Sequence, residues 1–61
     1  MPFVTVKLLE GRSDEQKKAL VEKVTEAVSE TAAAPKENIY VIIEEIAKEH
    51  LGHAGIRKSD Q

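Results

Sequence analysis

The segment IYVIIEEI, residues 39–46, constrains this chain more than any other. Read as a strand beginning at Asn38 or Ile39, it sets Ile39, Val41 and Ile43 on one face and Tyr40, Ile42 and Glu44 on the other. Apolar groups on both faces mark a strand that is covered on both sides. The rest of the chain supplies one helix, and one helix covers one face, so the second face needs another subunit. Length points the same way. A chain of 61 residues buries only about 60% of its unfolded surface and is marginal alone. Scaffolds of this size usually add disulfides, a metal or partners. There is no cysteine, which excludes disulfides and thiolate zinc sites and fits a reducing compartment. A homo-oligomer is the expected source of the missing stability.

The remaining elements can be placed from pattern. PFVTVKLL, residues 2–9, is rich in β-branched and apolar residues and carries no helix start, so it reads as a strand. Val4, Val6 and Leu8 share one face; Phe3, Thr5, Lys7 and Leu9 share the other. Glu10 and Gly11 end it. Ser13 with Gln16 three residues later forms a capping-box pattern, and Asp14 and Glu15 suit the positive end of a helix dipole. Leu20, Val21, Val24, Ala27, Val28 and Ala32 then cover an arc of roughly 140°, broad enough to lie on a sheet. Lys18, Glu22, Glu26, Ser29 and Glu30 take the opposite side, and Lys17 intrudes on the apolar arc near its end, where it can snorkel. Pro35 stops the helix at about Ala33. Beyond Ala47 the pattern weakens, and Gly52 and Gly55 suggest a turn and a short hairpin ending in a polar tail able to wrap a neighbour. The fold class expected is α+β: one domain over residues 1–61, built as a single β-α-β unit with two parallel strands and a right-handed crossover.

Composition removes several functions. A net charge of −2 with interspersed signs leaves no basic stripe for nucleic acid. Two aromatic residues, Phe3 and Tyr40, are too few for a base-stacking platform. No apolar run reaches the roughly 18 residues of a bilayer span, and Lys7, Glu10 and Arg12 interrupt any signal-peptide shape. A soluble cytoplasmic protein is the default. His50 and His53, with Glu44, Glu45 and Glu49 nearby, read as polar surface rather than as metal ligands.

The chemistry begins at Pro2. A small second residue favours removal of Met1 during synthesis, and removal would leave a secondary amine at the start of a strand. Such a nitrogen is a base or nucleophile; with Met1 attached it is an inert amide. Arg12 lies just past the other end of the same strand, about 26 Å away for eight extended residues. An arginine cannot reach back that far. If both serve one site, Arg12 must come from a subunit whose strand runs the opposite way. Tyr40, opening the parallel second strand, lies at the Pro2 end of its own chain.

These residues make the chain resemble the 4-oxalocrotonate tautomerase (2-hydroxymuconate tautomerase) family. The resemblance covers nearly the whole chain: its length, Pro2, the LLEGRSDEQK block from Leu8 to Lys17, Ala34–Pro35 at the helix end, the apolar second strand and the segment from Ala47 to Gly52. It implies an N-terminal proline acting as general base in keto–enol tautomerisation, an association with degradation of aromatic compounds, and a hexamer made of three dimers, each a four-stranded sheet. By the resemblance, Arg12 binds a substrate carboxylate from a neighbouring subunit and Leu9 lines the pocket. Two positions depart from the family pattern. Tyr40 stands where the family has a second arginine that polarises the substrate carbonyl, and Leu51 stands at the family's pocket aromatic. A tyrosine hydroxyl donates one hydrogen bond but brings no fixed charge, which leaves open whether the acid handled carries one carboxylate or two.

The implied chemistry is coherent. A free α-amine has a pKa near about 7.7–8.0 and proline starts higher. An apolar pocket from Phe3, Leu9 and Leu51 would lower it toward the working pH by disfavouring the ammonium form. Arg12 would hold a carboxylate in bidentate fashion. No metal or organic cofactor is called for. Two other readings remain open at this point. The same fold could hydrate, dehalogenate or decarboxylate a small unsaturated acid with a protonated Pro2 as general acid. The chain could instead be a non-catalytic oligomeric binding module.

Overall fold

Backbone hydrogen bonds in the computed structural model, which describes all residues from Met1 to Gln61, tie the two long strands into one parallel pair. Strand β1 spans Phe3–Leu9 and β2 spans Tyr40–Ile46. Their register runs from Phe3 opposite Tyr40 to Leu9 opposite Ile46. The ladder continues one step at each end, with Tyr40 N–H donating to the Pro2 carbonyl (3.0 Å) and Glu10 N–H to the Ile46 carbonyl (3.0 Å). Between them lies helix α1, Asp14–Ala32. Its start is the expected capping box: the Ser13 hydroxyl accepts from Gln16 N–H (3.1 Å) while the Gln16 side chain accepts from Ser13 N–H (2.9 Å). Nineteen residues make a helix about 28 Å long, enough to return the chain along the whole of β1.

The helix ends at Ala32, one residue before the expected limit, because Ala33 adopts the left-handed cap conformation (φ 53°, ψ 40°). Ser29, placed by its periodicity on the outward side, is instead half-buried and donates its hydroxyl to the Ala34 carbonyl at 2.7 Å, fastening the exit. The second strand also starts later than Asn38 or Ile39. Residues Lys36–Asn38 form a turn of 3-10 helix. The N–H groups of Asn38 and Ile39 donate to Pro35 and Lys36 carbonyls (3.0 and 3.1 Å) and so are withdrawn from the ladder.

The expected two-face division of the sheet holds. Val4, Val6 and Leu8 of β1 and Val41 and Ile43 of β2 are half-buried, as are Leu20, Val21, Val24 and Val28 of α1. Ala27 and Ala32, assigned to the packed arc, are exposed, whereas Thr25 is half-buried with its hydroxyl on the Val21 carbonyl (2.7 Å). A two-stranded sheet is narrower than the apolar arc of the helix, so the flank bearing Ala27 finds nothing to rest on. Lys17 does more than snorkel. Its ammonium pairs at 3.2 Å with Glu45, which sits opposite Leu8 on the helix side of β2, and each of these charges makes the other tolerable against the apolar layer.

The opposite face is bare. Phe3, Tyr40 and Ile42 are 64%, 45% and 48% exposed, and no residue of the chain is buried. The accessible surface is 4728 Å²; a self-contained protein of 6.7 kDa exposes about 3,900 Å². The radius of gyration is 14.5 Å, against about 10.5 Å for a compact chain of this length. The molecule is a slab of 42 × 24 × 14 Å, with α1 on one side of the sheet only. No helix is long and apolar enough to cross a membrane.

After β2, a 3-10 turn at Lys48–His50 leads to a short antiparallel hairpin, β3 (Gly52–His53) and β4 (Ile56–Arg57). Its two turn residues, Ala54 and Gly55, both have positive φ (53° and 83°), the requirement of a turn whose twist matches the strands. The polar tail expected at the terminus carries structure of its own. Lys58–Asp60 form another 3-10 turn, and Lys58 N–H donates to the Leu51 carbonyl at 2.8 Å, folding the end of the chain back on the start of the hairpin.

Two outcomes follow from this architecture. Full burial of an isoleucine stabilises by about 1.5–3 kcal/mol, and half of Ile42 awaits cover; Ile42→Lys should abolish assembly and most helical circular dichroism, with sedimentation velocity showing only monomer. A wild-type-like oligomer in that variant would mean the bare face is not the contact. Ala33→Gly should stabilise the protein by about 0.5–1 kcal/mol, since the left-handed conformation costs an L-residue about 1–2 kcal/mol, less the extra entropy glycine loses. Urea titrations at matched protomer concentration would measure the gain.

Candidate active site

Gly11 decides where the first group of candidate residues goes. Its φ of +123° is a backbone conformation that glycine alone adopts without strain, and it lets the chain leave β1 and reach the Ser13 cap within a few residues. Arg12, caught in this turn, lays its guanidinium back on the strand end and donates to the Leu9 carbonyl at 3.2 Å. One N–H of its fork is thereby used and the others stay available.

Leu9 and Leu51, with His53, Ile56, Lys58 and Gln61, line one open groove of about 330 Å³ between the end of β1 and the C-terminal hairpin. The structure therefore brings Leu9, Arg12 and Leu51 to one end of the sheet. It also brings Pro2 and Tyr40 together, but at the other end. Pro2 is half-buried, its carbonyl bonded to Tyr40 N–H. The Tyr40 ring stacks on Phe3, centroids 5.0 Å apart and planes 14° from parallel. Seven strand residues separate the two ends by about 23 Å, so within one protomer Pro2 reaches neither Arg12 nor the groove. With Met1 attached, the Pro2 nitrogen is an amide.

Ile56, Lys58 and Gln61 are groove residues that the sequence pattern does not reveal, and His53 reads from the sequence as polar surface. The hairpin register sets Gly52 opposite Arg57 and His53 opposite Ile56, and that register was not legible from a segment without a clean period. His50 and His53 join no group of three side chains able to hold a metal ion.

Known proteins share this arrangement of elements. The sequence profile described as tautomerase enzyme matches residues 2–61. The 2-hydroxymuconate tautomerase of Bacillus subtilis is 65% identical over 60 residues, covering 98% of this chain and 97% of its own. Among solved structures, YwhB, described as a homologue of 4-oxalocrotonate tautomerase, superposes with a TM-score of 0.96 at 63% identity, covering 98% of both chains. A heterohexameric 4-oxalocrotonate tautomerase from Chloroflexus aurantiacus superposes with a TM-score of 0.93 at 30% identity, covering 98% of this chain and 97% of that one. With its β-α-β unit, small hairpin and near-complete match to these relatives, the chain belongs to the tautomerase family, whose enzymes are isomerases.

Proposed function

We propose that this protein catalyses keto–enol tautomerisation of 2-hydroxydienoates, such as 2-hydroxymuconate or related enols of 2-oxo acids, with Pro2 as general base after removal of Met1. The observation that carries this reading is the division of the candidate residues between the two ends of β1. Pro2 and Tyr40 stand at one end; Leu9, Arg12 and Leu51 stand at the other. Two copies with antiparallel β1 strands would set each Pro2 beside the other's groove, making two equivalent sites. The exposed outer face of each sheet would then join such dimers, and a hexamer of three dimers is the assembly we favour, in keeping with the hexameric relative.

The reaction balances without a cofactor. The neutral Pro2 nitrogen takes the proton of the 2-hydroxyl group. The O–H electron pair becomes the carbonyl π bond, the first double bond shifts one position along the chain, and the π pair of the second binds the proton that the prolyl ammonium returns to the far diene carbon. A base of suitable pKa contributes about 10²–10⁴-fold to such a transfer. Arg12 of the neighbour holds a carboxylate through the N–H groups it does not spend on Leu9. The Tyr40 hydroxyl can donate to the developing carbonyl oxygen, and Leu9 and Leu51 exclude water, which strengthens both interactions.

Kinetics on Met1-free protein, followed by ultraviolet absorbance of the dienol, test the assignment. Pro2→Ala should lower kcat/KM by about 10²-fold or more. Arg12→Ala should act mainly on KM, raising it about 10- to 100-fold for loss of a charge-assisted hydrogen bond. Wild-type rates in both variants would overturn the mechanism. A protein extended by two residues ahead of Pro2, verified by mass spectrometry, should assemble normally and be inactive, because its proline nitrogen is an amide.

A further inference from the structure

The turn that carries Arg12 is closed into a ring by an ion pair that the tautomerase reading does not use. The turn itself has little to hold it: Gly11 sits at a φ of +123°, and no atom stands within 4 Å of where a side chain would begin there. Its two ends are held by hydrogen bonds instead. At the strand end, Glu10 N–H donates to the Ile46 carbonyl (3.0 Å) and the Arg12 guanidinium to the Leu9 carbonyl (3.2 Å). At the helix end, Ser13 and Gln16 cap each other, and Lys17 N–H donates to the Ser13 carbonyl (3.1 Å). The Lys17 ammonium then crosses to Glu45 at 3.2 Å, and Glu45 directly precedes Ile46 on β2. The path from β2 through the turn and the first turn of α1 therefore returns to β2. Of the four ion pairs in the chain, this one is the least exposed, at 28% and 40% for its two side chains, and it alone ties helix to sheet. A pair partly out of water keeps more of its Coulomb attraction than a fully solvated one.

We propose that Lys17 and Glu45 are positioning residues: their pair fixes the first turn of α1 against the end of β2, and so sets the direction in which Arg12 presents the N–H groups it does not spend on Leu9. This rests on the tautomerase reading only for what Arg12 binds; the restraint on Arg12 belongs to the fold. A guanidinium held by one bond to a carbonyl can still swing. A bidentate hold on a carboxylate needs the plane of the fork fixed, and fixing it beforehand lowers the entropy lost on binding. Loss of the pair should therefore weaken carboxylate binding and leave the proton-transfer step alone.

Side-chain dynamics and kinetics test this separately. The chain has only two arginines, and Arg57 is locked to Asp60 by bonds of 2.9 and 3.3 Å, so it serves as an internal reference. In 15N NMR of the assembled, Met1-free protein, Lys17→Met keeps the side-chain length and removes the charge. It should lower the heteronuclear NOE of the Arg12 Nε–H group and leave that of Arg57 unchanged. With 2-hydroxymuconate the same variant should raise KM about tenfold at unchanged kcat. Lys17→Arg should restore both readouts, as should the exchange of Lys17→Glu with Glu45→Lys. Lys23→Met, which removes the 4.0 Å pair with Glu26 on the same helix, should alter neither. Should Lys17→Met not assemble, Glu45→Gln leaves an uncharged acceptor opposite Lys17 and gives the same two readouts with a smaller change. Equal loosening of both arginines, a fall in kcat at unchanged KM, or an Arg12 signal like that of the wild type would overturn the proposal even if the enzyme is active. Loosening of Arg12 alone, in a protein whose wild type turns over no dienol, would uphold the restraint and overturn the tautomerase reading instead.

Discussion

One helix cannot cover both sides of a two-stranded sheet, and everything else in this structure depends on that constraint. The inner face has its layer, supplied by Leu20, Val21, Val24 and Val28 of α1. The outer face has none, and the chain buries no residue completely. Hydrophobic burial is the main force opposing conformational entropy, so a protomer with half its apolar sheet in water is an incomplete folding unit. Completion by further copies is the economical answer for a chain too short to grow a second helix layer.

The same constraint shapes the candidate active site. A strand is a rod, and residues at its ends are held about as far apart as the protomer is deep. Pro2 and Arg12 are therefore kept apart within one chain and can meet only across an interface. On the proposed reading stability and catalysis both need assembly: antiparallel pairing of β1 strands would bring Pro2 to the partner's groove, and the exposed sheet faces would then join the dimers. The Phe3–Tyr40 stack stands exposed beside Pro2.

Much of this was legible in the sequence because it is written in local rules. Ser13 and Gln16 cap the helix as a reciprocal pair, and Pro35 limits its end. The alternation of Val4, Val6 and Leu8 with Phe3, Thr5 and Lys7 assigns the two faces. Where local rules failed, a tertiary neighbour decided. Ala27 fits the apolar arc but overhangs a sheet only two strands wide. Lys17 is misplaced by periodicity until Glu45 arrives from 28 residues away. Ser29 turned inward because the Ala34 carbonyl at the helix exit needed a donor.

By itself the amino-acid order determined the β-α-β sequence of elements, the two faces of each strand, the separation of Pro2 from Arg12 and the tautomerase resemblance. All of these depend on residue spacing and backbone geometry, which need no knowledge of distant contacts. The tertiary structure alone decided that Leu9 and Leu51 share a groove, that Lys58 joins them, and that Arg57 and Asp60 neutralise each other beside it. Those facts depend on how the last residues fold back over the end of β1. That fold-back is fixed by a few hydrogen bonds, chiefly Lys58 N–H to the Leu51 carbonyl, and not by any periodic pattern of apolar side chains.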